Sequence, residues 1–150
     1  MDLKIKLACM TWPYNRYPLE RALEGIARAG YKYVSLGLPH EGKPAFDDGA
    51  EGEAARTLRL LDNYGLEPVT WISTDALSPQ QPIEKARQRM DFVKALGVEE
   101  LLSLGTTSYR RFPSEPISDE EMKPINEAFA AKYRLVGEEA EKRGLVVTIK

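Results

Sequence analysis

Four times along its 150 residues this chain breaks a helical pattern with a glycine and runs straight into an apolar, strand-like segment. The segments are RAGYKYVSLG, NYGLEPVTWIS, ALGVEELLSLG and KRGLVVTIK, with the breaks at Gly30, Gly65, Gly97 and Gly144. Glycine suits that corner because the residue after a helix is often left-handed, which costs a residue with a Cβ about 1 kcal/mol or more. The apolar residue after each glycine, Tyr31, Leu66, Val98 or Leu145, is placed to fold back on the last helical turn. With residues 5–10 as an opening strand, the element order is βαβαβαβαβ.

The helical segments each show one apolar stripe. Leu19, Leu23, Ile26 and Ala27 form the first, and Ala54, Leu58 and Leu61 the second. Ala86, Met90 and Val93 form the third; Ile125, Phe129, Tyr133, Val136 and Ala140 form a long fourth. Ser118 followed by Glu121 is a capping-box signature, and Pro18 and Pro82 stand where first-turn prolines are tolerated. Strict alternation without hairpin signals implies a parallel sheet with right-handed crossovers. Two architectures satisfy it: the first five strands and four helices of a (β/α)8 TIM barrel, or an open flavodoxin-like parallel sheet. The last strand runs to Lys150 with no covering helix after it, which favours the barrel. Residues 1–150 then read as one incomplete barrel with no second domain. Leu7, Val34, Val69, Leu102 and Val147 are expected on the inner wall, and the open strand edges point to marginal stability or self-association into a homo-oligomer.

Composition narrows the partner. With 21 basic against 23 acidic residues the formal charge is -2, so no net field draws the chain to nucleic acid or an anionic membrane. The single cysteine, Cys9, cannot form an internal disulfide. The opening residues alternate charge and apolarity rather than forming a signal peptide, and no run approaches the roughly 18 apolar residues of a membrane span. A cytoplasmic protein with a small-molecule partner is the expectation.

Ligands bind at the carboxyl ends of parallel strands under either architecture, and there the loops are polar and aromatic. Trp12 and Tyr14 can stack on the apolar face of a ring, and Arg110 can clamp a phosphate or carboxylate. Asp75 belongs with these substrate contacts. His40, the only histidine, can hydrogen-bond a hydroxyl or serve as an acid or base. Lys150, at a strand end, can act as an electrophile or form a Schiff base. Each of these residues also fits a solvated loop or rim position. Glu99 and Glu100 read as strand-entry charges at the opposite end, and no second histidine or nearby cysteine builds a metal cluster.

The stretches LACMTWPY, ALEGIARAGYKYVSLG and ARQRMDFVKALGVEELLSLG resemble the sugar phosphate isomerase/epimerase family of xylose-isomerase-like TIM barrels. The resemblance spans nearly the whole chain. It implies isomerisation or epimerisation of a sugar, polyol or sugar phosphate by proton transfer next to a carbonyl, with this chain supplying the N-terminal half of the pocket. Members often hold a divalent metal on acidic and histidine ligands from later strands. Here Ser35 stands where the family commonly has a glutamate, and Lys150 stands at the position of the fifth-strand metal ligand. A cation there repels a divalent metal, so whether a metal cofactor binds stays open. The alternatives are a Schiff-base lyase or aldolase using Lys150, and a non-catalytic small-molecule binding domain.

Overall fold

All four glycines close their helices in the same way in a computed structural model of the chain, which describes residues 5–73, 75–104 and 117–150. Gly30, Gly65, Gly97 and Gly144 have φ of 86°, 64°, 73° and 66°. The residue after each donates its N–H back to the helix: Tyr31 to Ile26 O at 3.3 Å, Leu66 to Leu61 O at 3.0 Å, Val98 to Val93 O at 3.3 Å and Leu145 to Ala140 O at 3.0 Å. Each glycine N–H bonds the carbonyl three residues before it, completing a Schellman closure that satisfies the otherwise orphaned helix-end carbonyls.

The elements are β1 (Ala8–Met10), α1 (Leu19–Arg28), β2 (Tyr33–Leu36), α2 (Glu53–Asp62), β3 (Glu67–Ser73), α3 (Ile83–Ala95), β4 (Glu100–Ser103), α4 (Asp119–Glu141) and β5 (Val146–Ile149). A 3-10 turn, Trp12–Tyr14, follows β1. The strands form one sheet in the order β1-β2-β3-β4-β5, every neighbouring pair parallel. Sequential order excludes the flavodoxin arrangement, which places β1 between β2 and β3.

Register assigns the two faces of the sheet. Leu36, Trp71, Leu101 and Val147 are successive partners across β2 to β5, and Val34 pairs with Cys9. These residues pack in one cluster with Leu23 and Ile26 of α1, Leu61 of α2, Met90 and Val93 of α3, and Val136 of α4. Residues one step along the strands, among them Met10, Ser35, Thr70, Ile72, Glu100, Leu102 and Thr148, take the other face. The inner-wall expectation therefore holds for Leu102 and fails for Val34 and Val147, which face the helices. Val69 falls at the register shift of β3 opposite Val34 and Ser35. Leu7 precedes β1 and is 69% exposed, because only Ala8, Cys9 and Met10 find partners on β2.

The helix stripes bury mainly as their spacing predicts, with one exception. On α2 the inward residues are Glu53, Thr57 and Leu61, while Leu58 is 38% exposed. The start of α4 has the complete capping box: Glu121 N–H donates to Ser118 Oγ at 3.2 Å, and Ser118 N–H donates to Glu121 Oε2 at 3.1 Å. Among the described residues no helix is long and apolar enough to cross a membrane.

A charged cluster fastens α4 to α3. Glu139, buried on α4, accepts from Lys142 at 2.8 Å, from Arg143 at 2.7 Å and from Arg87 of α3 at 3.2 Å. Arg143 also donates to Asp91 of α3 at 2.7 Å. Hydrogen bonds from Lys142, Arg143 and Arg87 hold the Glu139 carboxyl down at about 2. Nearby, the buried Lys132 ammonium donates to Gln81 O at 2.6 Å, and burial lowers its pKa.

Two outcomes follow. Gly144→Ala forces a Cβ into a left-handed corner and lowers stability by about 1 kcal/mol. Gly25→Ala, inside α1 where a Cβ meets nothing within 4 Å, raises it by up to about 1 kcal/mol; urea unfolding of the two variants checks the opposite signs. Because the Glu139 pKa is depressed on folding, its contribution is complete above the unfolded value of about 4.5 and is lost as pH falls toward about 2. Glu139→Gln therefore shows lower stability at neutral pH and a flatter decline between pH 4.5 and 2, read from denaturation midpoints across a pH series.

Candidate functional site

Because the strands are parallel, the segments that follow β1, β2, β3 and β5 emerge at one end of the sheet. Thr11 N–H donates to Ser35 O at 3.3 Å, continuing the β1–β2 pairing into the 3-10 turn. That turn leaves Trp12 and Tyr14 exposed. Ser35 itself is half-buried and pairs with Met10 and Thr70.

His40 lies in the long connection after β2 and ties it to the connection after β1. Its ring Nδ1 is 2.9 Å from Tyr17 O, and the next residue, Glu41, donates its N–H to Asn15 O at 2.7 Å. His40 and Lys43 exchange backbone bonds of 2.9 Å in each direction, and Glu41 is left-handed at the tip. A carbonyl oxygen only accepts, so Nδ1 carries the hydrogen and Nε2 of the neutral ring is an acceptor. The side chain is 5% exposed, and Nε2 has no hydrogen-bond partner among the described residues.

A cavity of about 830 Å³ opens between the β2–α2 and β3–α3 connections. Its wall includes Phe46, Asp47, Arg56, Trp71, Asp75 and Arg89. Trp71 is locked edge-on against Phe46 at 4.9 Å and Phe92 at 5.2 Å between centroids. The Arg89 guanidinium sits 5.8 Å from the Trp71 ring centroid and pairs with Asp48. Arg56 grips Glu53 through two bonds of 2.7 and 2.6 Å, lowering the Glu53 pKa and raising its own. Sequence reading singled out Asp75 at this end but missed Trp71, whose β-strand context reads only as core.

Other polar groups sit in the sheet itself. Glu100, at the entry of β4 and so at the far end, accepts from Thr70 at 2.9 Å and Thr148 at 3.1 Å across three strands. Ser103, at the exit of β4, hydrogen-bonds Tyr133 of α4, whose pKa burial pushes up while the Ser103 contact opposes the rise. Lys150 donates its backbone N–H to Ser103 O at 3.0 Å, prolonging the β4–β5 pairing, and its side chain is exposed. Arg110 lies outside the described residues.

No protein-family model and no curated protein matches the chain. Solved structures do, over nearly its whole length. A xylose isomerase-like TIM barrel protein from Mycobacterium smegmatis in complex with magnesium superposes with a TM-score of 0.72 at 10% identity, over 97% of this chain and 55% of the other. The fold is the first half of a (β/α)8 TIM barrel. A D-allulose 3-epimerase from Methylomonas sp. in complex with D-allulose gives 0.63 at 20% identity, covering 97% of this chain and 50% of that one. A sugar phosphate isomerase/epimerase from Parabacteroides distasonis gives 0.62 at 14%, covering 99% and 52%. The chain thus spans about half the length of the solved structures it matches.

In this half-barrel, Trp12, His40 and Asp75 follow β1, β2 and β3 at the end where TIM barrels bind their substrates. Among the described residues no group of three or more His, Cys, Asp or Glu side chains is placed to hold a metal ion. The donors among the described residues do not by themselves fit one. Gly37, where β2 leaves the sheet, is the tightest point of this end: at φ 106°, a Cβ would lie 2.2 Å from Ile72 O. Gly37→Ala is expected to destabilise by about 1–3 kcal/mol, with circular dichroism melts as the check.

Proposed function

We propose that the chain forms the N-terminal half of the sugar pocket of an isomerase or epimerase that moves a proton next to a carbonyl. His40 carries this reading. Its Nδ1–H is committed to Tyr17 O, which fixes the tautomer and leaves Nε2 as a buried acceptor without a partner among the described residues. An acceptor held this way suits a substrate hydroxyl or a proton in transit. Trp12 and Tyr14, exposed after β1, offer faces for the apolar side of a sugar ring. The fold supports the same class, since proteins named as sugar epimerases and isomerases share it.

The test is incorporation of solvent deuterium next to the carbonyl when a polypeptide that carries this half together with strands completing the barrel is incubated with ketohexoses and ketopentoses in D2O; the 150-residue chain alone is expected to be inactive. Uptake at a single carbon supports the reading, and no uptake with any of these sugars overturns it. His40→Asn keeps a donor for Tyr17 O and removes the Nε2 acceptor. It should lower kcat/KM at least about tenfold, the effect of losing a buried hydrogen bond or more. Unchanged turnover in that variant would remove His40 from the site.

A further inference from the structure

The connection after β2, residues 37–52, is far longer than the turns at the other end of the sheet, and its two halves are fastened differently. Loops from strand to helix usually take about 2–6 residues, and irregular ones longer than about 12 tend to be lids or binding loops. The first half is pinned. Gly37 leaves no room for a Cβ beside Ile72 O. His40 Nδ1–H donates to Tyr17 O, Glu41 N–H donates to Asn15 O, and the two backbone bonds between His40 and Lys43 close the tip.

Residues 44–51 are held by less. Ala45 and Phe46 pack partly on the core, with the Phe46 ring edge-on to Trp71. Asp47 N–H reaches Glu53 Oε1 only at 3.4 Å, long for a hydrogen bond. The firmest tie is the Asp48 carboxylate on the Arg89 guanidinium of α3. Gly49 lets the backbone lie close to α3 beside it, since a Cβ there would come within 2.4 Å of Gln88 Nε2. The Asp48 and Arg89 side chains are 18% and 15% exposed, so the pair is largely withdrawn from water, and either charge left there without the other is strongly unfavourable. The piece ends at Gly52, left-handed at φ 77° with nothing within 4 Å of a Cβ, a joint with space around it.

The same piece walls the cavity beside β3: residues 44–48 line it together with Arg56, Trp71 and Arg89 of the body. We propose that residues 44–51 are a gate on this cavity, latched by Asp48 on Arg89 and jointed at Gly52, and that the tip at His40 stays in place when the gate opens. With the latch made, this wall of the cavity is shut. When Asp48 leaves, Phe46 swings off Trp71 and a small solute reaches the ring. Arg89 stays behind, held over the Trp71 ring at 5.8 Å from its centroid, so the body half of the latch keeps its place for reclosure. The gate rests on the fold alone and does not need the proton transfer assigned to His40.

The experiment is limited digestion with a glutamate-specific protease, the cuts being located by mass spectrometry. Glu41 in the pinned tip and Glu51 in the gate are both exposed, so each half of the connection carries its own reporter. Asp48→Asn should speed cleavage after Glu51 at least about tenfold and leave cleavage after Glu41 unchanged. Asp48→Glu keeps the charge and should restore slow cleavage. Arg89→Gln breaks the latch from α3, should repeat the Asp48→Asn pattern, and serves if that variant does not fold. In a Trp12→Phe background, where Trp71 is the sole tryptophan, Asp48→Asn should also raise the quenching of Trp71 fluorescence by acrylamide. Glu139→Gln, which weakens the clasp between α3 and α4, is the comparison for a purely structural loss and should not favour Glu51 over Glu41. No acceleration at Glu51, equal acceleration at both glutamates, fast cleavage in Asp48→Glu, unchanged quenching in Asp48→Asn, or the same bias in Glu139→Gln overturns the proposal.

Discussion

Every strand after the first begins from a backbone reversal that is possible because a glycine accepts a left-handed turn. The Schellman closures at Gly30, Gly65, Gly97 and Gly144 return the chain from helix to strand almost at once and satisfy the helix-end carbonyls on the way. Such short turns hold each helix against the sheet and launch each strand in the same direction. The slack in the chain is left at the other end, where residues 37–52 after β2 have room to fold into a site.

That end works by linking connections rather than by any single element. His40 reaches from the β2–α2 connection to Tyr17 after β1, so two segments that begin on adjacent strands set one ring orientation. Trp71 reaches outward from β3 and is wedged by Phe46 from one connection and Phe92 from α3. In both cases one part of the side chain is held by the fold and the other part, Nε2 or Nε1–H, has no hydrogen-bond partner among the described residues.

The element order was legible because glycine punctuation is a backbone property, independent of which side chains meet. Stripes of α1 and α3 were legible for the same kind of reason, since Leu23, Ile26, Met90 and Val93 follow helical spacing. Face assignment within the strands was not. YVSL and ELLS place apolar residues at successive positions, so period two gives no preferred side, and Val34 and Val147 were expected on the inner wall when they face the helices. Leu58 misled because the α2 face turns toward Glu53 and Thr57, polar residues that hydropathy ignores. His40 could be singled out by chemistry alone, whereas its hydrogen bond to Tyr17 O depends on how two connections meet. Trp71 looked like core and is core; only an indole nitrogen without a partner among the described residues distinguishes it, and no sequence pattern reports an absent partner.

The Glu139 cluster has a mechanical consequence. Arg87 and Asp91 of α3 are fastened to Glu139 and Arg143 of α4, and Lys132 of α4 holds the carbonyl just before α3. Two helices joined at several points along their length cannot peel from the sheet one at a time, so α3 and α4 form one opening unit with β4 between them in sequence. The side of the molecule built on α1 and the short β1 has no matching clasp among the described residues. Breathing motions are thereby channelled toward the edge that bears Trp12 and Tyr14, and amide protons there trade with solvent sooner than those behind the α3–α4 pair.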